Sequence, residues 1–228
     1  MDMIHQQGHI TKAYDAELNR LEEGLCGMAD AVRAQLGNLR KALMNLNATE
    51  AEAVVAHDAE INDREVALDA FLEALISRRQ PQANDLRVML GSCRMTNDLE
   101  RMGDEVRNAA KGVRNLAQVK IVPAQDISRL VATTLGISEL ADDMAKCIRT
   151  RDGKLARELL KGRTVVSSSM HQALVELIDH MRSGGVGLEV GLELIRINRA
   201  LERVAAHIQN IGEAVIFIIE GVDIRHTN

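Results

Sequence analysis

A 13-residue stretch occurs in two versions in this sequence and decides its fold. The first version, "DLERMGDEVRNAA", occupies 98–110, and the second, "ALERVAAHIQNIG", occupies 200–212. Four residues of the first version recur in the second at a constant offset of 102 positions: Leu99, Glu100, Arg101 and Asn108. The same offset relates Arg94 to Arg196. A fixed offset of this kind is typical of an internal repeat. The chain is therefore predicted to be a tandem duplication.

The composition indicates that both repeats are helical. Of the 228 residues, 46% are hydrophobic and only 1% are aromatic, with two prolines and no tryptophan. Such a composition favours helices over strands. Helical periodicity predicts segments at 9–46, 48–79, 82–117, 125–150, 153–182 and 187–220. Because helices this long pack side by side, we expect an all-α fold of two tandem three-helix bundles, residues 1–122 and 123–228.

Bulk properties narrow the class of function. A net charge of −5 argues against general nucleic-acid binding, which needs an excess of Lys and Arg on one face. Cys26, Cys93 and Cys147 lie far apart and are expected to be reduced core residues. The opening "MDMIHQQGHI" has neither the basic nor the apolar region of a signal peptide, and no long apolar run is present. A cytoplasmic protein is expected.

Acidic residues gather on neighbouring faces of two predicted helices. On a helical wheel of the third helix, Glu100, Gly103 and Asp104 lie opposite the apolar stripe that contains Leu99 and Met102. The second helix has an acidic stripe beside its own apolar one, and this acidic stripe consists of Asp58, Asn62, Glu65, Asp69 and Glu73. Two unpaired carboxylates four residues apart on a helix repel each other by a few tenths of a kcal/mol. The pattern therefore calls for an explanation.

Two explanations of the acidic stripes remain open. Charged residues at this spacing most often form a solvated helix face. The alternative is an oxygen-ligand site for iron, zinc, magnesium or calcium, formed by Glu65, Asp69, Glu100 and Asp104, because a cation would turn their repulsion into attraction. Gly103 supports the alternative, since glycine permits close approach of another group.

Enzymatic motifs are scarce. The seven histidines form no HExxH motif, so a zinc hydrolase is disfavoured. A phosphate-binding G-x-x-x-x-G-K-[ST] loop is absent, and the serines at 167–169 lack the surroundings of a nucleophile elbow. A protein without enzymatic activity is expected, with a metal-dependent hydrolase or metal-storage bundle as the alternative built on the same acids.

Five stretches together resemble the PhoU family of phosphate-specific transport accessory and regulatory proteins. These stretches are "HITKAYDAEL" at 9–18, "SRRQPQANDLR" at 77–87, "DLERMGDEVRN" at 98–108, "LERVAAHIQN" at 201–210 and "GVDIRH" at 221–226. The resemblance spans nearly the whole chain in the same order. It implies two tandem three-helix bundles and a negative regulator that links a phosphate ABC transporter to a sensor histidine kinase. The partners implied are that kinase and the transporter's ATPase, so any membrane association is peripheral.

The resemblance also implies metal sites, and the two halves differ in this respect. Glu100 and Asp104 match the family's E(D)xxxD motif, which in the family binds iron or zinc clusters. In the second half Ala205 and Ala206 replace the glycine and the aspartate of the motif, which leaves Glu202 alone. Any metal is therefore expected on the first bundle.

A homodimer is one of two equally weighted expectations for the apolar residues near the end of the chain, and the other is that these residues are buried within the second bundle. The apolar run Phe217, Ile218 and Ile219 near the end of the chain would form either a dimer surface or part of the second bundle's core.

Overall fold

The computed structural model describes residues 12–224, and it contains six helices and no strand within that range. The helices are α1 Lys12–Asn45, α2 Ala48–Arg79, α3 Ala83–Leu116, α4 Ala124–Thr150, α5 Gly153–Arg182 and α6 Leu188–Glu220. This all-α architecture confirms the predicted fold, and the six helices follow the predicted segments. Residues 9–11 of the first segment, and parts of the first and last family stretches, lie outside the described residues.

Side chains at the helix ends explain where several helices begin and stop. The side chain of Asn47 accepts hydrogen bonds from the backbone N–H groups of Thr49 and Glu50, at 2.9 and 3.1 Å, and so starts α2. Asp152 starts α5 in the same way. Gln80 ends α2 in a left-handed conformation, with φ of 45°, and Pro81 follows it.

The six helices form two groups of three that pack on each other. Helices α1, α2 and α3 contact one another, as do α4, α5 and α6. Between the groups, α3 lies against α6 and α1 lies against α4. The buried side chains form one continuous cluster through both groups. The division into 1–122 and 123–228 falls in the turn before α4, and as a domain boundary it stays a prediction.

Helices α3 and α6 run antiparallel through the centre of the molecule. Near the start of α3, Gly91 makes room for Ile218 near the end of α6. Near the end of α3, Gly112 makes room for Ile197 in the first half of α6. Glycines at these two points let the axes of α3 and α6 approach closely. Helix α2 packs on another side of α3.

The apolar run near the end of α6 packs within its own chain. Ile218 fills the space beside Gly91, and the ring of Phe217 lies under the guanidinium of Arg94, with 4.4 Å between the guanidinium carbon and the ring centroid. Both contacts are with α3 of the first group, so Phe217 and Ile218 pack between the two groups of helices and not only within the second bundle. The homodimer stays a prediction.

One end of the first bundle holds the only tyrosine of the chain. Tyr14 is buried, and Arg79 stacks over its ring at 5.7 Å from the centroid. Burial, together with the charge of Asp85 and a hydrogen bond to it, raises the pKa of Tyr14 to about 12. Glu17 binds the Arg79 guanidinium at 2.7 Å, which lowers the pKa of that carboxyl. This end therefore joins α1, α2 and α3 by polar contacts.

The three cysteines carry free thiols within the helical core or at its edge. Cys147 is buried, and burial raises the pKa of its thiol to about 12. Cys26 and Cys93 are half-buried, and burial raises the pKa of each thiol as well. None of the helices within 12–224 has the length and apolar character needed to cross a membrane.

Candidate functional site

The acidic residues singled out in the first bundle lie where α2 and α3 face each other. Glu100 and Asp104 on α3 keep 17% and 26% of their side-chain surface exposed, because α2 covers part of that side. On α2, Glu65 is half-buried and Asp69 is exposed. The wheel had placed Glu100 and Asp104 away from the packing surface. That placement was wrong, since α3 packs on more than one side.

The carboxylates are close enough to disturb each other's ionisation. Burial raises the pKa of Glu100, and the negative charges of Asp104 and Glu65 raise it further. Burial likewise raises the pKa of Glu65, with Asp69 as the next contribution and Asp104 as a smaller one. The site residues predicted from the two helices are therefore brought into one electrostatic neighbourhood, which we call the acidic face: Asp58, Asn62, Glu65, Asp69, Glu100 and Asp104.

Two arginines supply the positive charge that the acidic face needs. Arg107 pairs with Asp104 at 2.9 Å and forms a very short contact with Asp58, which retains only 4% of its side-chain surface. Burial alone would lower the pKa of Arg107. The hydrogen bond to Asp58 and the negative charges of the surrounding acids outweigh burial, so the pKa of Arg107 is raised. Arg101 lies 3.6 Å from Glu100. The sequence analysis had given neither arginine a role, although Arg107 follows Asp104 by three positions, a spacing that brings two side chains together on a helix.

Gly103 has a packing role in this face. A Cβ atom at Gly103 would lie 3.0 and 3.2 Å from two methyl groups of Ile61, and 3.4 Å from Oδ1 of Asp58. What approaches this glycine is therefore α2 itself. The sequence correctly indicated a close approach at Gly103, but the group that approaches is a buried isoleucine.

The donor chemistry of the acidic face suits a hard cation, although its side chains are arranged around arginine. Oδ1 of Asp58 and Oδ1 of Asn62 are buried and accept no hydrogen bond. Within residues 12–224, no three His, Cys, Asp or Glu side chains converge as a ligand set. A cation would thus find unpartnered oxygen ligands, but Arg107 would have to release its carboxylates first.

The second bundle lacks a matching acidic face. Glu202 is paired with Arg199 at 2.9 Å, and Ala205 is buried where the first half has Gly103. The serines at 167–169 on α5 lie half-buried or exposed, with no acid among them. The expected asymmetry between the halves is thus present in the arrangement of the side chains.

A polar cluster between the bundles was not foreseen from the sequence. Asp98 on α3 bonds to both His207 and Asn210 on α6, with distances of 2.8 and 2.9 Å. Farther along the same contact, Arg203 bonds to Glu105 at 2.6 Å. These contacts join the repeated stretch of α3, residues 98–110, to its second version on α6, residues 200–212. A sequence pattern alone does not say that these positions face each other.

Comparison with known proteins identifies the repeat. A family model described as "PhoU domain" matches residues 25–113 and again residues 136–215. These two matches confirm the internal duplication predicted from the 102-residue offset.

Relatives and solved structures agree over most of the chain. A protein of Burkholderia sp. called "Phosphate-specific transport system accessory protein PhoU homolog" is 29% identical, covering 96% of this chain and 93% of its own length. The Escherichia coli "Phosphate-specific transport system accessory protein PhoU" is 26% identical, with 99% and 93% covered.

The likeness extends to three dimensions. The crystal structure of PhoU from Pseudomonas aeruginosa superposes with a TM-score of 0.87 at 27% identity, covering 92% of this chain and all of that chain. The regulatory protein PhoU from Streptococcus pneumoniae, at 23% identity and a TM-score of 0.84, shares the fold. Because the family model matches both halves and most of the residues, this chain belongs to the PhoU family.

Proposed function

We propose that this protein is a negative regulator of phosphate uptake and of the phosphate-starvation response. The observation that carries the proposal is the match to phosphate-transport accessory proteins over nearly the full length of both chains. In this role the protein contacts a phosphate ABC transporter's ATPase and a sensor histidine kinase, and it acts through binding without enzymatic activity. The pairing of Asp104 and Asp58 with Arg107 favours this reading over a hydrolase, since these acids are engaged in structural ion pairs.

Deletion of the gene tests the proposal. We expect phosphate-starvation genes to be expressed even in phosphate-rich medium, because the kinase loses its inhibitory contact. Re-expression of the wild-type chain should restore repression. Unchanged expression in the deletion strain would refute the proposed function. Deleting the kinase gene as well should abolish the response, which separates an effect through the kinase from one through transport alone.

We also propose that the acidic face binds a cation such as iron, zinc, magnesium or calcium through Glu65, Asp69, Glu100 and Asp104. The support is the unpartnered Oδ1 of Asp58 and the mutual repulsion that raises the pKa of Glu65 and Glu100. The cation competes with Arg107 for Asp104. In the second half, Glu202 is the one acid left of the motif, and it has Arg199 as its partner.

Metal analysis distinguishes this proposal from a solvated face. Protein purified without chelator or metal-affinity columns should contain metal in the wild type, and Glu100→Ala with Asp104→Ala should lose it. The matched control is Glu202→Ala in the second half, which should leave the metal content unchanged. Equal metal content in wild type and the Glu100/Asp104 double variant would refute the site.

A further inference from the structure

The second bundle contains a small cavity between α4, α5 and α6. Most of its walls are apolar, but three polar residues also line it: Asp126 and Arg129 near the start of α4, and Asn198 on α6. The centre of a water-sized molecule can move through about 10 Å³ of this space. That is enough for one water molecule and too little for a larger ligand.

The internal repeat explains why there is space at this point. Leu75 of α2 recurs as Leu177 of α5 at the offset of 102 positions. The same offset relates Phe71 of α2 to Ala173, which lines the cavity. In the first bundle the ring of Phe71 is half-buried against the core. A methyl group in place of a phenyl ring leaves space among its neighbours unless they move in to fill it.

Asn198 brings an amide oxygen to this cavity without a partner from the protein. The residue is 3% exposed, and its Oδ1 is buried and accepts no hydrogen bond from the part of the chain that the structure describes. Its counterpart 102 positions earlier, Thr96, is also buried, but the Thr96 hydroxyl donates to the backbone carbonyl of Ser92 at 3.0 Å. A buried acceptor without a donor costs free energy. A donor is therefore expected in the cavity beside Asn198.

The charged groups at the cavity are paired with one another. Asp126 keeps 2% of its side-chain surface exposed and lies 2.9 Å from both Arg129 and His180. Arg129 also pairs with Glu176 of α5 at 2.8 Å. A cation in the cavity would meet the guanidinium of Arg129, and an anion would meet the carboxylate of Asp126. A neutral molecule that both donates and accepts hydrogen bonds suits the two groups together.

The turn between α5 and α6 holds this polar side of the cavity in place. A Cβ atom at Gly185 would overlap Nε2 of His180, so the turn lies directly against the imidazole ring. Nδ1 of the same ring faces Asp126, and the side-chain amide of Gln125 lies 3.0 Å from the ring nitrogens. His180 is thus fixed between the turn and α4. The carboxylate of Asp126 is consequently kept in one position at the cavity.

We propose that this cavity binds one ordered water molecule, which donates a hydrogen bond to Oδ1 of Asn198 and bonds to the Asp126–Arg129 pair. Water is neutral, has the size that the cavity admits, and both donates and accepts. Buried waters in proteins typically make about three hydrogen bonds to polar groups that would otherwise lack partners. The water joins the start of α4 to α6, so it is a structural ligand of the second bundle.

A crystal structure at a resolution that shows buried waters tests the proposal. We expect a density peak at hydrogen-bond distance, about 2.5–3.0 Å, from Oδ1 of Asn198. In Asn198→Leu an apolar group of similar size replaces the amide, and the peak should be absent. Ala173→Val is the second variant, in which two added methyl groups should fill the space and expel the water.

Three crystallographic outcomes would overturn the water site. The first is a wild-type cavity without a peak in a structure that shows other buried waters. The second is a peak that remains in both variants. The third is a peak with the short distances and the ligand number of a metal ion.

Nuclear magnetic resonance of the wild type tests the same site in solution and needs no variant to fold. The methyl protons of Leu194, which lines the cavity, should show NOE and ROE cross-peaks with water. Opposite signs of the two cross-peaks mark a water that tumbles with the protein. Leu201 is the matched control, because it is fully buried on the same helix but does not line the cavity. Cross-peaks at both leucines, or at neither, would contradict a water bound at this site.

Discussion

Ionisation of the Glu100 carboxyl lowers the stability of the folded state. Its pKa is raised by burial and by the neighbouring Asp104 and Glu65. A carboxyl whose pKa is higher in the folded state binds its proton more tightly there, so the folded state loses stability as the pH rises from the unfolded pKa through the folded one. The full penalty is present once the pH exceeds the folded-state pKa. Ionised Glu100 is therefore held by the fold at a cost, which the neighbouring Arg101 reduces.

Glu100→Gln should raise the free energy of unfolding at pH 7 by roughly a few tenths of a kcal/mol, the size of a like-charge repulsion at i and i+4. The gain should vanish in acid, once Glu100 of the wild type is protonated. Urea denaturation at several pH values measures both effects. Glu60→Gln is the control of opposite sign, because Arg64 lowers the pKa of Glu60. A gain for Glu100→Gln that persists in acid would contradict the electrostatic explanation.

Gly103 tests the packing explanation of the same stretch. In Gly103→Ala the new methyl meets Ile61, which is fully buried and cannot retreat. Overpacking costs about 1–3 kcal/mol, more than the roughly 1 kcal/mol gained from helix propensity. We expect a net loss of about 1 kcal/mol in urea denaturation.

Gly37→Ala in α1 is the matched control for Gly103→Ala, because outside the adjoining backbone of α1 no heavy atom lies within 4 Å of a Cβ placed at Gly37. It should stabilise the protein by up to about 1 kcal/mol. Similar effects in the two variants would mean that Ile61 does not restrict position 103.

Among the elements, α5 depends most on its cap. Within this helix only Ala156, Leu159, Met170 and Leu177 are buried, so packing holds α5 less than it holds α3. The Asp152 side chain accepts hydrogen bonds from the N–H groups of Lys154 and Leu155, at 2.8 and 3.2 Å. The start of α5 should therefore be sensitive to the loss of this carboxylate.

Asp152→Ala should cost about 1 kcal/mol and should speed hydrogen exchange in the first turn of α5. Gln82→Ala is the matched control at the start of α3, because Gln82 makes no side-chain cap hydrogen bond. Its effect should stay within about 0.5 kcal/mol. Equal losses in the two variants would show that the Asp152 cap contributes nothing specific.

The elements were predictable because each helix carries its own period and its own end signals. The run from Asn47 to Arg79, for example, combines a capping side chain, an apolar stripe ending at Leu75, and a stop before Pro81. Which helix faces which is a different matter. The wheel of α3 did not disclose that Gly103 packs on α2, because a second packing side on a helix looks like any other mixture of small and polar residues.

The candidate metal site stays a prediction. The spacing of Glu100 and Asp104, and of Glu65 and Asp69, placed acids on adjacent helices, where their charges raise the pKa of Glu65 and Glu100, but within residues 12–224 no three such side chains converge as a ligand set. Arg107 was missed because its partner Asp58 lies 49 positions away on α2. Contacts of that kind depend on how the helices pack and leave no local pattern.

At the scale of the whole molecule, the continuous core ties the two repeats into one folding unit. The buried cluster runs from α1 to α6 without a break, and Ile218 and Ile197 of α6 fill spaces beside glycines of α3. Separating the repeats would expose these surfaces to water. The duplication is thus evident along the sequence, whereas in the folded structure the two repeats share one hydrophobic core.

Hydrogen exchange in the full-length chain measures this coupling. With increasing urea, the centres of α3 and α6 should lose protection together, at the free energy of global unfolding. The ends of α5 serve as an internal reference, since they should open at lower free energy. Loss of protection in one half while the other remains protected would show that the repeats unfold independently.

Tyr14 gives this protein an optical reporter that needs no label. Because the chain has one tyrosine and no tryptophan, phenolate absorption in the near ultraviolet comes from this single ring. Burial of the ring raises its pKa to about 12, above the ordinary value of 10.0 for a tyrosine phenol. At a pH between these two values, the phenol stays protonated as long as the end where α1, α2 and α3 meet is closed. Once that end opens, the phenol loses its proton and the phenolate absorption appears. A pH jump followed by ultraviolet absorbance would therefore time the opening of this one corner.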